Sequence, residues 1–402
     1  MTDMTETVVT TFDITDGSGR HARYAQLAAA GPVHRITLPT GELAWLITGY
    51  NEVRQALHDP RLVKSDLALA SMGRDLLPPE VFAAVSHSML NSNPPEHTRL
   101  RRLVTAGFTR RRVELLAPRI QQITDELLDG MVDAAQVDLI ASFALPLPIT
   151  VICELLGVPE DRRAEFHDWS TTFVTGALAG ADVFVTAVTA MGSYLRELID
   201  AKRADGADDL ISALVAARDG QDRLSADELT SMVSLLLVAG HETTVNLIGN
   251  AVHALLTHPE QMGLLRAQPH RLPDVIEETL RFDGPLQMAT FRWSAKPVDI
   301  GEVTIPAGEI VLPGLLAANR HPACAAQPDA LDIARTDNAH LGFGHGIHHC
   351  LGAPLARLEG RIALGTLLAR FPRLRLAVPA QQLTWRQGVI MNGLAALPVA
   401  MY

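Results

Sequence analysis

The decapeptide Phe343-Gly344-His345-Gly346-Ile347-His348-His349-Cys350-Leu351-Gly352 carries the densest chemistry in this 402-residue chain. It sets one cysteine after two closely spaced glycines and just before a helical pattern, Leu351–Phe371. Glycine accepts positive φ, so such a loop can turn tightly and approach a flat cofactor closely. A helix N-terminus favours thiolate over thiol. A thiolate in a pinched apolar loop suits the axial position of haem iron. Two plainer readings stand beside that one. A free interior cysteine is most often a small hydrophobe. His345, His348, His349 and Cys350 are also all zinc-capable. Neighbouring residues 348–350 converge poorly on one tetrahedral ion, however, and Cys153 and Cys324 lie in no Cys-x-x-Cys arrangement.

A second cluster, Ala239-Gly240-His241-Glu242-Thr243-Thr244, sits inside a long helical pattern. An acid beside a hydroxyl in mid-helix is costly to bury without partners. Its functional reading is proton delivery, Glu242 relaying protons and Thr243 orienting dioxygen and water, with Gly240 leaving room for dioxygen. A solvent-facing polar stripe is the alternative, but Leu235-Leu236-Leu237-Val238-Ala239 is too apolar for an exposed helix. His241-Glu242 also begins a zinc-protease pattern, which Val245 breaks where a second histidine is required. Further along, Glu278-Thr279-Leu280-Arg281 places opposite charges at i and i+3. As an exposed pair they contribute only ~0.2–0.5 kcal/mol.

The elements that must position these residues are mostly helices. Apolar residues recur at helical spacing in Val113–Met131, Ile149–Leu156, Tyr194–Lys202, Asp208–Arg218 and Asp274–Phe282. The longest pattern is Ala226–His258, opened by a Ser225/Glu228 capping box and closed before Pro259. Val33–Leu38 and Ala44–Thr48 read as strands around a turn at Thr40-Gly41, and Ala289–Ser294 is strand-like. Val298–Val311 and Leu383–Val399 read as short strands and turns. At 48% hydrophobic and 20% charged, the chain can build a substantial core. A net charge of −11 argues against nucleic acid as a partner. Three scattered cysteines make no disulfide framework and fit a reducing cytoplasm. Apolar runs are interrupted by charge, glycine or polar residues, so no membrane span is expected, and Met1–Arg20 lacks the pattern of a secretion signal.

Taken together these motifs resemble the cytochrome P-450 superfamily. The decapeptide matches Phe-x-x-Gly-x-x-x-Cys-x-Gly at every fixed position, and Ala239–Thr244 resembles the Ala-Gly-x-Glu-Thr-Thr oxygen-activation motif. Glu278–Arg281 matches the Glu-x-x-Arg element, and the order is kept from about Pro94 to Val399. The resemblance implies a mainly α fold with small β-sheets in one domain, 1–402. Haem b would lie between the long central helix and the helix after Cys350. It implies Cys350 as iron ligand, Phe343 near the sulfur, Gly344 and Gly352 shaping the loop, and amides after Gly344 donating to the thiolate. His97, Arg101, Arg292 and His348 match positions that bind the haem propionates, whose charge needs cationic partners. Glu278 and Arg281 would be structural. One departure is Asn93, where an aspartate is common before the double proline.

The implied activity is insertion of one atom of dioxygen into a C–H bond. With no flavin or iron–sulfur module legible, the electrons would come from a ferredoxin and its reductase, and Arg102 with Arg110, Arg111 and Arg112 could receive an acidic donor. Segments Val63–Ser92, Thr171–Val185, Leu286–Thr290 and Val389–Asn392, with Leu236, Val238 and Ala239, would line the cavity. They favour a large lipophilic substrate. Leu145–Gly157 with Ala239–Asn250 looks like the macrolide-hydroxylating branch. Open alternatives are a terpenoid or sterol-like substrate, a peroxide-driven haem-thiolate enzyme, and a haem sensor.

Overall fold

The long helix forms where its caps dictate. In the computed structural model, which describes residues 9–10, 13–65, 78–175, 180–217 and 222–402, Ser225 Oγ accepts from the Glu228 amide at 3.2 Å, and Glu228 Oε2 accepts from the Ser225 amide at 2.7 Å. The helix then runs Ala226–Thr257 and stops before Pro259. Leu237, Val245, Leu247, Ile248, Val252 and Leu255 are each at most 1% exposed, and burial of each such side chain stabilises the fold by ~1.5–3 kcal/mol. The helix is long and apolar enough to cross a membrane, but 78% of its most apolar window is buried inside the fold. It is a core helix, and its apolarity is spent on packing.

Eight helices build and flank the site: α1 (Glu96–Gly107), α2 (Ala117–Asp129), α3 (Pro146–Leu156), α4 (Arg163–Thr175), α5 (Ala181–Ala204), α6 (Ala226–Thr257), α7 (Leu272–Phe282) and α8 (Ala353–Arg370). Helix α6 packs against α3, α4, α5, α7 and α8. A Cβ added at Gly240 would lie 2.8 Å from Ile152 Cδ1, and one at Gly249 would lie 2.6 Å from Ile140 Cδ1. The absence of a side chain at Gly240 therefore lets α3 pack close against α6.

The largest sheet has order β1-β2-β3-β9-β6-β4, with β1 Val9–Thr10, β2 Val33–Thr37, β3 Leu43–Ile47, β4 Leu62–Val63, β6 Arg292–Ser294 and β9 Ile310–Pro313. The expected hairpin is present, antiparallel with Val33 opposite Ile47 and with Gly41 at φ 89° in its turn. Strands β4 and β6 are antiparallel, Val63 facing Trp293, so the next residue, Lys64, arrives beside Arg292. A smaller sheet joins β10 (Arg375–Leu376), β11 (Pro398–Ala400) and β5 (Gln136–Asp138), and β7 (Val298–Ile300) pairs with β8 (Val303–Ile305).

Several boundaries differ from expectation for local reasons. Val113–Met131 is split at Leu116 into Arg110–Leu115 and α2, because Pro118 has no N–H for the continuing ladder. Tyr194–Lys202 is the end of the longer α5. Asp208–Arg218 shortens to Leu210–Ala216, capped by Asp209 on the Ser212 amide, and Arg218 lies outside the described residues, as do 66–77 and 176–179 of the expected lining segments. Leu383–Val399 gives only isolated bridges and β11.

The Glu278–Arg281 pair is not an exposed contact. Both side chains are at most 1% exposed and form a bidentate pair, both bonds 2.8 Å. Arg281 also donates to the carbonyls of Asn319, Pro328 and Ala330, while Glu278 accepts from the Asp332 amide. The pair knits α7 to the segment that leads into the cysteine loop.

Candidate active site

Cys350 stands three residues before α8 begins. The loop ahead of it turns at Gly344 and Gly346, both at φ 74°, where any side chain would be strained. Its closure is secured by the Cys350 amide donating to the Phe343 carbonyl at 2.9 Å. Burial raises the Cys350 thiol, opposed by the Gly352 amide, the Arg101 guanidinium, the Ala353 amide and Arg357. These amide donors lie on the helix side of the cysteine, whereas the Gly344 amide goes to the Leu341 carbonyl at 2.8 Å. Arg357 lies over the Phe343 ring, 4.5 Å from its centroid, and is held bidentately by Glu277 at 2.6 and 2.8 Å. Cys350 alone of the three keeps an accessible surface, although the protein around its sulfur is dense enough to desolvate it; Cys153 and Cys324 are buried, and burial pushes their thiols up to about 12 and about 11.

Around this loop the fold gathers positive charge. The His97 and His348 rings meet at 4.5 Å. His97 and Arg292 are each 3% exposed, and both His97 nitrogens and Arg292 Nε lack hydrogen-bond partners among the described residues. Burial lowers His348 to about 2, reinforced by Arg292, Lys64, His97 and Arg101. Burial also lowers His97, with Arg101 and Arg292 adding to it, and lowers Arg292 to about 10. Among the described residues no carboxylate pairs with any of these five. Three cationic side chains beside two imidazoles held neutral, with three of the five groups' nitrogens orphaned in the interior, fit a group bearing two carboxylates such as haem.

Lys64 was missed from sequence. It is 6% exposed, and its ammonium donates to the Phe291 carbonyl at 3.0 Å and to Thr290. Only the β4–β6 register brings it here, a pairing more than 200 residues apart in sequence that no local pattern announces. The departure at Asn93 has a use at the same place. Its amide accepts from Lys64 N at 2.8 Å and donates to Lys64 O at 2.7 Å, and a carboxylate could not make the second bond.

Between Leu229 and Val252 of α6, only Leu235, Ala239, Gly240 and Thr243 are open or half-open, at spacings that put them on one face. The Thr243 hydroxyl donates to the Ala239 carbonyl at 2.8 Å. Leu236 and Val238 are buried, so of the three lining residues expected there, Ala239 faces the opening. Segments 286–290 and 389–392 are joined: Leu286 bridges Met391, and the Gln287 amide donates to the Ile390 carbonyl at 2.9 Å. Asn246 reaches Met391 Sδ at 3.9 Å, which ties the pair to α6 one turn past Thr243.

Glu242 is 0% exposed and points elsewhere. Its carboxylate accepts from Thr171 of α4 at 2.9 Å and from Arg386 Nη1 at 2.8 Å, with His241 Nε2 at 3.6 Å. Burial pushes the carboxyl up, but His241, Arg386 and Thr171 outweigh it and hold it at about 2. The resting group is thus a carboxylate. No hydrogen bond joins it to Thr243 among the described residues. Among the described residues, His345, His348 and His349 form no metal-binding cluster with Cys350; the histidine and acid side chains close enough to share a metal are His167, His241 and Glu242, with donor atoms within 4.8 Å. Arg386 on the same carboxylate disfavours a further cation there.

The chain belongs to the cytochrome P450 family. The family model "Cytochrome P450" matches residues 181–383. A Saccharopolyspora erythraea protein, cytochrome P450 107B1, is 50% identical over 396 residues, 96% of each chain. The mycinamicin IV hydroxylase/epoxidase of Micromonospora griseorubida is 45% identical over 382 residues, 94% of each. Among solved structures, the tirandamycin C-bound P450 monooxygenase TamI is 44% identical with a TM-score of 0.90, covering 98% of this chain and 100% of that one. This protein is therefore a haem-thiolate monooxygenase of mainly α architecture, and its cofactor is protoporphyrin IX haem.

Proposed function

We propose that this enzyme, working as one domain over residues 1–402, hydroxylates a large lipophilic substrate of the polyketide or macrolide kind. The observation that carries this reading is the open stripe of α6 together with the paired segments 286–290 and 389–391 tied to that helix at Asn246, positions that hold mostly Leu, Ala, Val, Ile and Met, with Gly240, Gln287 and two threonines and no charge. An apolar surface of this kind holds a substrate by burial and leaves orientation to a few polar groups. Likeness to proteins named for mycinamicin IV and tirandamycin C supports the same class. The test is spectral titration of the purified enzyme with a macrolactone, a sterol and a peptide, followed by turnover. The expected result is a haem shift with the macrolactone and a product heavier by one oxygen. A shift and product with the sterol alone would overturn the substrate class.

Bound haem supplies the redox chemistry that activates dioxygen. Cys350 would hold the iron through its sulfur, where the Gly352 and Ala353 amides, Arg101 and Arg357 oppose the burial that favours the thiol. His97, Arg101, Arg292 and His348 would hold the propionates, with Lys64 adding positive charge beside Arg292. Phe343, with Arg357 over its ring, would pack near the sulfur, and Gly344 and Gly352 would let the loop approach the cofactor. Thr243 presents its hydroxyl to the open face once it leaves the Ala239 carbonyl. Glu242 takes a proton on its carboxylate and passes it toward Thr243. Cavity walls from α6 and the paired segments exclude water and present the substrate carbon.

Electrons come from a separate redox protein, which we read as a ferredoxin served by its reductase. Arg102, Arg110, Arg111 and Arg112 are the proposed landing site. Arg110 pairs with Glu114 and Arg112 with Asp208, so part of that charge is already compensated. Three free cysteines support a reducing, cytoplasmic setting.

A further inference from the structure

Arg386 is absent from every motif in the chain, yet it makes the closest charged contact to Glu242. We propose that Arg386 is a positioning residue: its ion pair fixes the Glu242 carboxylate against α4 and gates the swing of that group toward Thr243. The inference rests on the reading that Glu242 carries protons.

The geometry gives Arg386 this place. Trp385 bridges Leu394, and the Arg386 amide donates to the Gly393 carbonyl at 2.9 Å. At Gly393 a Cβ would lie 2.0 Å from Asn246 Oδ1, so only glycine lets this hairpin press on α6. The Arg386 side chain is 27% exposed and the Glu242 side chain 0%, so the cation reaches a buried acid from the outer side. Adjacent residues on a helix point ~100° apart. To meet Thr243, the Glu242 carboxylate must leave Arg386 and Thr171 and swing round α6.

The groups that face Glu242 come from three elements. Helix α4 supplies Thr171 and, behind it, His167, whose ring lies 6.4 Å from that of His241. Helix α6 supplies His241, whose Nε2 also meets Ser170 at 3.0 Å. The C-terminal hairpin supplies Arg386, the only guanidinium in contact with the carboxylate among the described residues. An isolated buried carboxylate is unstable and takes up a proton instead. Without Arg386, the hydroxyl and the imidazole must hold the charge alone.

The experiment compares holoenzymes of the wild type, Arg386→Gln, Arg386→Lys, Thr171→Val and Glu242→Gln. Infrared difference spectra against Glu242→Gln follow the protonated carboxyl band of Glu242 across pH. In Arg386→Gln its midpoint moves up by about 1–3 pH units, and in Arg386→Lys it stays near the wild-type position. Product formed per electron consumed falls in Arg386→Gln toward the Glu242→Gln level and recovers in Arg386→Lys. An unmoved midpoint, or a moved midpoint with full product yield, overturns the proposal. Wild-type yield in Glu242→Gln instead overturns the proton-carrying reading on which it rests. Should Arg386→Gln fail to retain haem, Thr171→Val carries the test, with a smaller upward movement of the midpoint expected and an unmoved midpoint contrary to the proposal.

Discussion

At the scale of single residues, Cys350 and Thr243 separate the two halves of the chemistry. Replacing Cys350 by serine removes the thiolate, and the expected outcome is loss of the thiolate-type haem spectrum together with turnover. Thr243→Ala leaves the thiolate loop and the cationic cluster untouched. It is expected to retain haem and its spectrum while product formation falls by about 10²-fold, the lower end of what a positioned proton donor contributes. Peroxide measured alongside product checks this, and a fully coupled Thr243→Ala enzyme would contradict the role given to that hydroxyl. The contrast with Glu242 is instructive. Both belong to one sequence motif, but the hydroxyl bonds its own helix while the carboxylate is bound to α4 and the C-terminal hairpin.

At the scale of elements, the seam between α3 and α6 and the buried pair on α7 make the sharpest predictions. Gly240→Ala places a methyl against Ile152 and is expected to cost about 1–3 kcal/mol by overpacking. Ile152→Ala should relieve part of that cost in the double variant, a coupling that denaturant midpoints measure. Glu278→Ala strands a guanidinium that is fully buried, and about 3–5 kcal/mol of stability should be lost. What the sequence revealed about elements follows from how local their causes are. The Ser225/Glu228 box, the Thr40-Gly41 turn and the cysteine loop are each closed within a few residues, and each was legible. The split at Leu116 depends on one proline, and its effect was underestimated. Lys64 and Arg386 reach the site through a strand register and a hairpin docked on α6, contacts between distant segments that no periodicity encodes. Gly240 shows the reverse case: the residue was noticed, but its neighbour Ile152 was invisible until the helices were packed.

At the scale of the whole molecule, acid should unfold this protein through its paired carboxylates. Glu277 and Asp283 lie at about 2 against ordinary values of 4.5 and 3.8. Burial pushes both up, but Arg357 and His340 outweigh it for Glu277, and His21, Arg320 and Asn392 for Asp283. A folded-state value below the unfolded one means that the stabilisation is present above the ordinary range and is lost as pH falls toward 2. Thermal midpoints should therefore be flat near neutrality and drop below about pH 4.5, the ordinary carboxyl range. An Asp283→Asn variant should start lower and show a shallower acid decline. The same whole-molecule view explains why the site works as one unit. The β4–β6 pairing delivers Lys64 and Arg292, α1 delivers His97 and Arg101, and the loop before α8 delivers His348 and Cys350.

The central claim is a thiolate at Cys350 on haem iron, held where these elements meet. The most direct measurement is the absorption spectrum of the purified protein, reduced and exposed to carbon monoxide. The account predicts a strongly red-shifted Soret band that disappears in Cys350→Ser. A band typical of histidine ligation, or a red-shifted band unchanged in Cys350→Ser, would contradict it.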